Sequence, residues 1–170
     1  MEKKIKKNIV IALFIAIGVV INSLRVNGIS FGGLPIIFSG FMLGPVSGFI
    51  VGALTDVVAF IVRPSATGGF NPIFMLTSAL TGFIPVFVAK LLNRNKDNYK
   101  LWQIFIGVLV GQMFTSVLLV PYFIHILYHK NYFVTVSKAF AKQLFSIPIY
   151  SIIIIELYYI FKLRLKIDFK

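Results

Sequence analysis

Seven charged residues stand where charge is out of place. Arg25, Arg63, Lys130, Lys138 and Lys142 lie away from the main basic clusters, and Asp56 and Glu156 fall inside apolar segments. An ionisable group among apolar neighbours is costly, and marks either a ligand site or a structural pair. Arg25 closes the first apolar run and Arg63 the third, so each is either a snorkelling cap or a cation held for an anion. Lys138 and Lys142 are four apart and share one helix face. Lys142 lies ~9 Å in from the helix end at a 1.5 Å rise, deep for a snorkel, and is expected to face a cavity or an anion. Asp56 either pairs with Arg25 or Arg63 or accepts hydrogen bonds from an amino-bearing heterocycle. Glu156, near Lys162, reads as structural.

Neutral amides come next: Asn22, Asn71, Gln112 and Gln143. Asn71 beside Pro72 and Gln143 beside Lys142 are the two expected to face a ligand. With aromatics such as Phe31, Phe70 and Phe74, these groups describe an outward-facing pocket for a planar, nitrogen-rich, anionic small molecule, its ring stacked and its polar edge fixed by hydrogen bonds. The expected site comprises Arg25, Phe31, Asp56, Arg63, Asn71, Phe74, Tyr122, Lys142 and Gln143. His125 and His129 have the spacing of a metal pair, but no cysteine or nearby acid completes a coordination sphere. Tyr122, Tyr128 and Tyr132 mark that region as an interfacial belt, and no metal is expected. The chain has no GxxxxGK[ST], HExxH or GxSxG motif, so neither catalysis nor a cofactor is expected.

The elements that must position these groups are membrane helices. Of the 170 residues, 58% are hydrophobic and 13% charged, against about 25% charged in soluble domains. A net charge of +12 raises nucleic acid as a partner, but charge-free runs over 8–24, 26–55, 64–89, 101–129 and 143–155 exclude a soluble nucleic-acid binder. The apolar fraction excludes disorder. The absence of cysteine excludes disulfides and thiolate chemistry. A single integral membrane domain over 1–170 is expected, with the lysine-led opening run retained as a helix rather than cleaved as a signal peptide.

Twelve of the 17 basic residues fall in three clusters: Lys3, Lys4, Lys6 and Lys7; Lys90, Arg94, Lys96 and Lys100; and Lys162, Arg164, Lys166 and Lys170. Basic loops stay cytoplasmic, so both termini and the central loop are placed inside and each half crosses an even number of times. The long stretch from 29 to 62 must then hold two helices, and Gly44-Pro45 is the natural break. The expectation is an all-α membrane protein with six transmembrane helices near 8–24, 30–43, 46–62, 72–92, 101–127 and 136–162. Two spans in so few residues are short, which points to a shielded cavity near 25–71. Small residues at every fourth position (Gly44, Gly48 and Gly52; Gly107, Gly111 and Thr115; Ala12 and Ala16) let helix backbones approach closely.

One segment carries a resemblance. The stretch Ile29-Ser30-Phe31-Gly32-Gly33-Leu34-Pro35-Ile36-Ile37, then Gly40-Phe41-Met42-Leu43-Gly44-Pro45, then Gly52-Ala53-Leu54-Thr55-Asp56, resembles the folate family of substrate-binding (S) components of energy-coupling factor (ECF) transporters. So does Phe70-Asn71-Pro72-Ile73-Phe74-Met75-Leu76-Thr77-Ser78-Ala79-Leu80-Thr81-Gly82. The resemblance implies a multi-pass protein of the bacterial plasma membrane that binds a vitamin from outside. It also implies docking onto a membrane coupling protein with two ATPases, so that ATP hydrolysis belongs to partner subunits. An Ala-xxx-Ala face on the first helix then contacts the coupling protein, and Ala12 and Ala16 occupy that place. Folate is the implied ligand: Arg25 and Lys142 would take its carboxylates, Asp56 and Asn71 its pterin edge. An S component for thiamine or pantothenate, or a membrane structural or assembly protein, are the competing readings.

Overall fold

In the computed structural model, which describes residues 2–23, 31–62, 69–93 and 98–164, every regular element is helical. The helices are α1 (Glu2–Ser23), α2 (Gly33–Leu43), α3 (Pro45–Val62), α4 (Pro72–Leu92), α5 (Leu101–Tyr128) and α6 (Tyr132–Tyr159). All but α2 are long and apolar enough to cross a membrane. Many large apolar side chains point outward, among them Ile9, Leu13, Val46, Ile61, Leu91, Phe133 and Phe145. A surface of this kind suits lipid, where helices satisfy their own backbone groups.

Helix ends follow local chemistry. α1 starts well before residue 8 because its lysines are good helix formers. Asn71 caps α4, accepting from Ile73 N at 2.9 Å, with Pro72 at the first helical position. Asn131 caps α6 in the same way, accepting from Val134 N, which sets the helix start at 132 rather than 136.

α2 is only 11 residues, ~16 Å at 1.5 Å per residue, about half the ~30 Å hydrocarbon core. Gly44 follows it with φ 98° and ψ 162°, a conformation open essentially to glycine alone, and Pro45 then opens α3. The two helices therefore form a hairpin whose arms share one base, and α2 stops seven residues short of α3 at the other end. That deficit leaves a recess ~10 Å deep between the long helices.

The hairpin packs onto α4 through glycines. A Cβ built on Gly48 would strike the Gly82 carbonyl, one on Gly82 would strike the Gly48 carbonyl, and one on Gly52 would strike the Ser78 carbonyl. Gly40 completes the seam, its own Cβ position 2.6 Å from Gly82 O and from Val86 Cγ2. On the far side of α4, Pro85 is fully buried, and its ring and carbonyl lie where side chains on Gly107 and Gly111 of α5 would be. A helix-interior proline interrupts the hydrogen-bond ladder and widens the helix locally, and the glycine groove of α5 receives that bulge.

α5 is not uniform. Met113–Leu119 is π-helical and leads into Val120 and Pro121. Such wide turns are rare and concentrate at functional sites.

Candidate functional site

The recess left by α2 is a cavity of about 270 Å³. Its walls come from all six helices: Asn22 near the end of α1, Gly32, Gly33 and Ile36 at the start of α2, and Asp56 late in α3. Thr77, Ser78 and Thr81 come from the first half of α4, Gln112, Ser116 and Val120 from the middle stretch of α5, and Lys142, Gln143 and Tyr150 from the middle stretch of α6. Ten of these fourteen residues have polar side chains, in a bundle whose exterior is apolar. Polar groups inside a membrane bundle are retained where they bond each other or a ligand.

The α3–α4 side holds the acid. Asp56 Oδ1 accepts from Ser78 Oγ at 3.2 Å, one turn along from the Gly52 contact that lets these backbones meet. Thr77 and Thr81 lie one turn apart. Their hydroxyls donate back to the Phe74 and Thr77 carbonyls, and Thr81 Oγ1 also meets Thr115 Oγ1 across to α5 at 3.1 Å.

The α5–α6 side holds the amides. Gln143 Nε2 donates to Gln112 Oε1 at 3.1 Å, and Ser116 Oγ donates to the same oxygen at 2.6 Å. The π-helical segment matters here. Gln112, Ser116 and Val120 advance in steps of four, which would drift around an α-helix, but the wider turns keep all three on one wall. Tyr150 is buried, and Phe31 packs edge-on against it with ring centroids 6.4 Å apart.

Of the residues singled out by sequence, Asp56, Lys142 and Gln143 meet on the cavity wall. Arg25 and Arg63 lie outside the described residues. Phe31 is partly exposed and packs against Tyr150. Asn71 spends its side-chain oxygen on the α4 cap, Phe74 stacks on Tyr128, and Tyr122 is half exposed. None of these four lines the cavity. Lys138 is exposed although it shares a helix face with Lys142. His125 Nδ1 donates to the Lys130 carbonyl at 2.7 Å, which closes the α5–α6 turn. Ala12 and Ala16 lie exposed on the outside of α1.

Asn22, Gln112 and the hydroxyl residues Thr77, Ser78, Thr81, Ser116 and Tyr150 were not foreseen as site residues. The signal for the amides was available, since Asn22 and Gln112 each interrupt a long apolar run. The hydroxyls gave none, because serine and threonine sit in membrane helices by bonding their own backbone.

The cavity therefore combines a carboxylate, an amine and a pair of linked amides inside a helical membrane bundle. A family model described as the ECF transporter substrate-specific component matches residues 6–161. The chain belongs to this family. No curated protein matches it at a significant level. A substrate-specific component binds the transported small molecule and works with the membrane and ATPase subunits of an ECF module; it is a transporter subunit and not an enzyme. The matched range takes in all six helices and every wall residue of the cavity.

Proposed function

We propose that this S component binds folate at the outer face of a bacterial plasma membrane and delivers it across as part of an ECF importer. The carrying observation is that Asp56 and Lys142 line one polar cavity at the end of the bundle away from the clustered lysines. Lys4, Lys6 and Lys7 begin α1, Lys90 ends α4, Lys100 precedes α5 and Lys162 follows α6, all at the other end, which basic residues mark as cytoplasmic.

The volume supports a divided ligand. About 270 Å³ falls just below the ~300–1,000 Å³ of pockets that enclose drug-sized ligands. A bicyclic pterin would fill the cavity, leaving the glutamate tail to run past Lys142. Asp56 accepts from the amino-heterocycle. The same small volume favours one second reading, thiamine, whose cationic ring Asp56 would answer.

Isothermal titration of the purified protein with folate, thiamine and pantothenate is the test. Folate is expected to bind in the sub-micromolar range, below about −8 kcal/mol. Preference for thiamine would replace the ligand, and binding of none would remove the vitamin-binding reading. For docking, the exposed Ala12 and Ala16 are assigned to the coupling protein. Ala12→Trp and Ala16→Trp are expected to block cellular uptake and leave folate titration unchanged. Loss of ligand binding in these variants would instead make that face internal packing.

A further inference from the structure

Gln112 and Gln143 face each other across the α5–α6 wall, 2% and 3% exposed. Gln112 Oε1 receives two bonds, from Ser116 Oγ at 2.6 Å and from Gln143 Nε2 at 3.1 Å. The shorter distance belongs to an O–H···O bond, since N–H···O bonds centre near 2.9–3.0 Å. The atom beside Ser116 is thus the oxygen of Gln112, and that choice fixes the other amide as well. Two groups are left over. Gln112 Nε2 points at Gly33, 3.4 Å from where a Cβ on that residue would stand. Gln143 Oε1 is buried and forms no hydrogen bond among the described residues. An unpaired buried acceptor is costly, and this one sits on a residue of the cavity wall.

We infer that the two glutamines act as one recognition element, offering a donor and an acceptor side by side to a ligand edge that carries an acceptor beside a donor. A cyclic amide meets this need, with its N–H and C=O on the same side, and so does an aminopyrimidine, with its ring nitrogen beside an amino group. An open-chain amide does not, because it is trans and its N–H and C=O point in opposite directions. The ligand class is therefore a planar ring bearing a lactam or an amino-amidine edge. Ser116 holds the register by orienting Gln112, and Gly33 leaves the room above Nε2. This inference rests on the vitamin-binding reading above and names the part of the ligand that the α5–α6 wall reads.

Two substitutions in the full-length protein separate recognition from packing. Gln143→Met keeps the side chain's length and removes the unpaired oxygen. Gly33→Ala leaves both glutamines in place and sets a methyl 3.4 Å from Gln112 Nε2, in the space over that donor. Folate and thiamine titrations are run on the wild type and on both variants, with thermal unfolding of each in the absence of ligand. At least a tenfold loss of affinity in both variants is expected, with ligand-free melting temperatures close to wild type. Melting should hold because Gln112 stays bonded to Ser116 in each. Wild-type binding that both variants keep within threefold overturns the inference and leaves the vitamin reading standing. A fall in melting temperature that tracks the loss of binding overturns it too, since the pair would then be structural. Exclusive binding of pantothenate, an open-chain amide, by the wild type also overturns it. Binding of no vitamin removes both readings. The same losses with thiamine as the sole ligand support the amide pair while removing folate.

Discussion

Alanine at Gly48 or Gly82 should cost about 3 kcal/mol or more, the top of the range for an overpacked core. The two positions block each other: the space a Cβ would need at either is taken by the other's carbonyl. The Gly48 position also lies 2.8 Å from the Gly40 Cα, so neither obstacle is the movable end of a side chain. Relief requires α4 to move away from the α2–α3 hairpin. That movement drives the Pro85 bulge against Gly107 and Gly111 of α5, where it already fills the groove, and shifts the cavity wall carried by Thr77, Ser78 and Thr81. Thermal unfolding in detergent checks this, with Gly69→Ala as the reference, because a Cβ there meets nothing within 4 Å among the described residues. The reference should stay within about 0.5 kcal/mol of wild type. If Gly82→Ala melts with it, the seam is looser than described.

Lys142→Met should weaken folate binding by about 100-fold while Lys138→Met changes it little. The two lysines share a helix face, yet Lys142 is half buried on the cavity wall and Lys138 is exposed. A hydrogen bond to a charged group contributes about 1.5–3 kcal/mol, roughly a 10- to 150-fold change in affinity. The upper half applies where water is kept out. An exposed charge several ångströms nearer solvent is screened and contributes little. Methionine preserves most of the stem and so the apolar packing of the side chain. Equal effects of the two substitutions on titration would mean a diffuse attraction for the anion rather than a contact made by Lys142.

Much of the architecture was legible because membrane helices announce themselves. Charge-free runs gave the segments, and Gly44-Pro45 gave the hairpin base. The shortness of that stretch pointed to a recess, and the cavity lies where α2 begins, seven residues short of the far end of α3. Asp56, Lys142 and Gln143 stood out because their side chains are expensive in apolar surroundings. Asn71 misled for a local reason: an asparagine before a proline is as good a helix cap as a ligand contact, and here it is the cap. Phe74 and Tyr122 misled because aromatics at a bundle end serve the interface as readily as a ring ligand. Gln112 and Ser116 were out of reach of periodicity, since the π-helical turn between them places them by a rule other than 3.6 residues per turn. Arg25 and Arg63 fall outside the described residues.

The glycine seam has a consequence for how this bundle can change. Its contacts at Gly40, Gly48, Gly52 and Gly82 are made by main chain against main chain, apart from two side-chain neighbours, Val86 and Ile36. The groups facing the cavity are side chains, and most of those on α5 and α6 bond among themselves rather than to the seam. The load-carrying frame and the lettering that selects a cargo are thus written in different atoms. Residues such as Gln112, Ser116 and Gln143 can be exchanged without a seam contact being spent. A chain built this way can be re-addressed to a new molecule while its scaffold stays as it is.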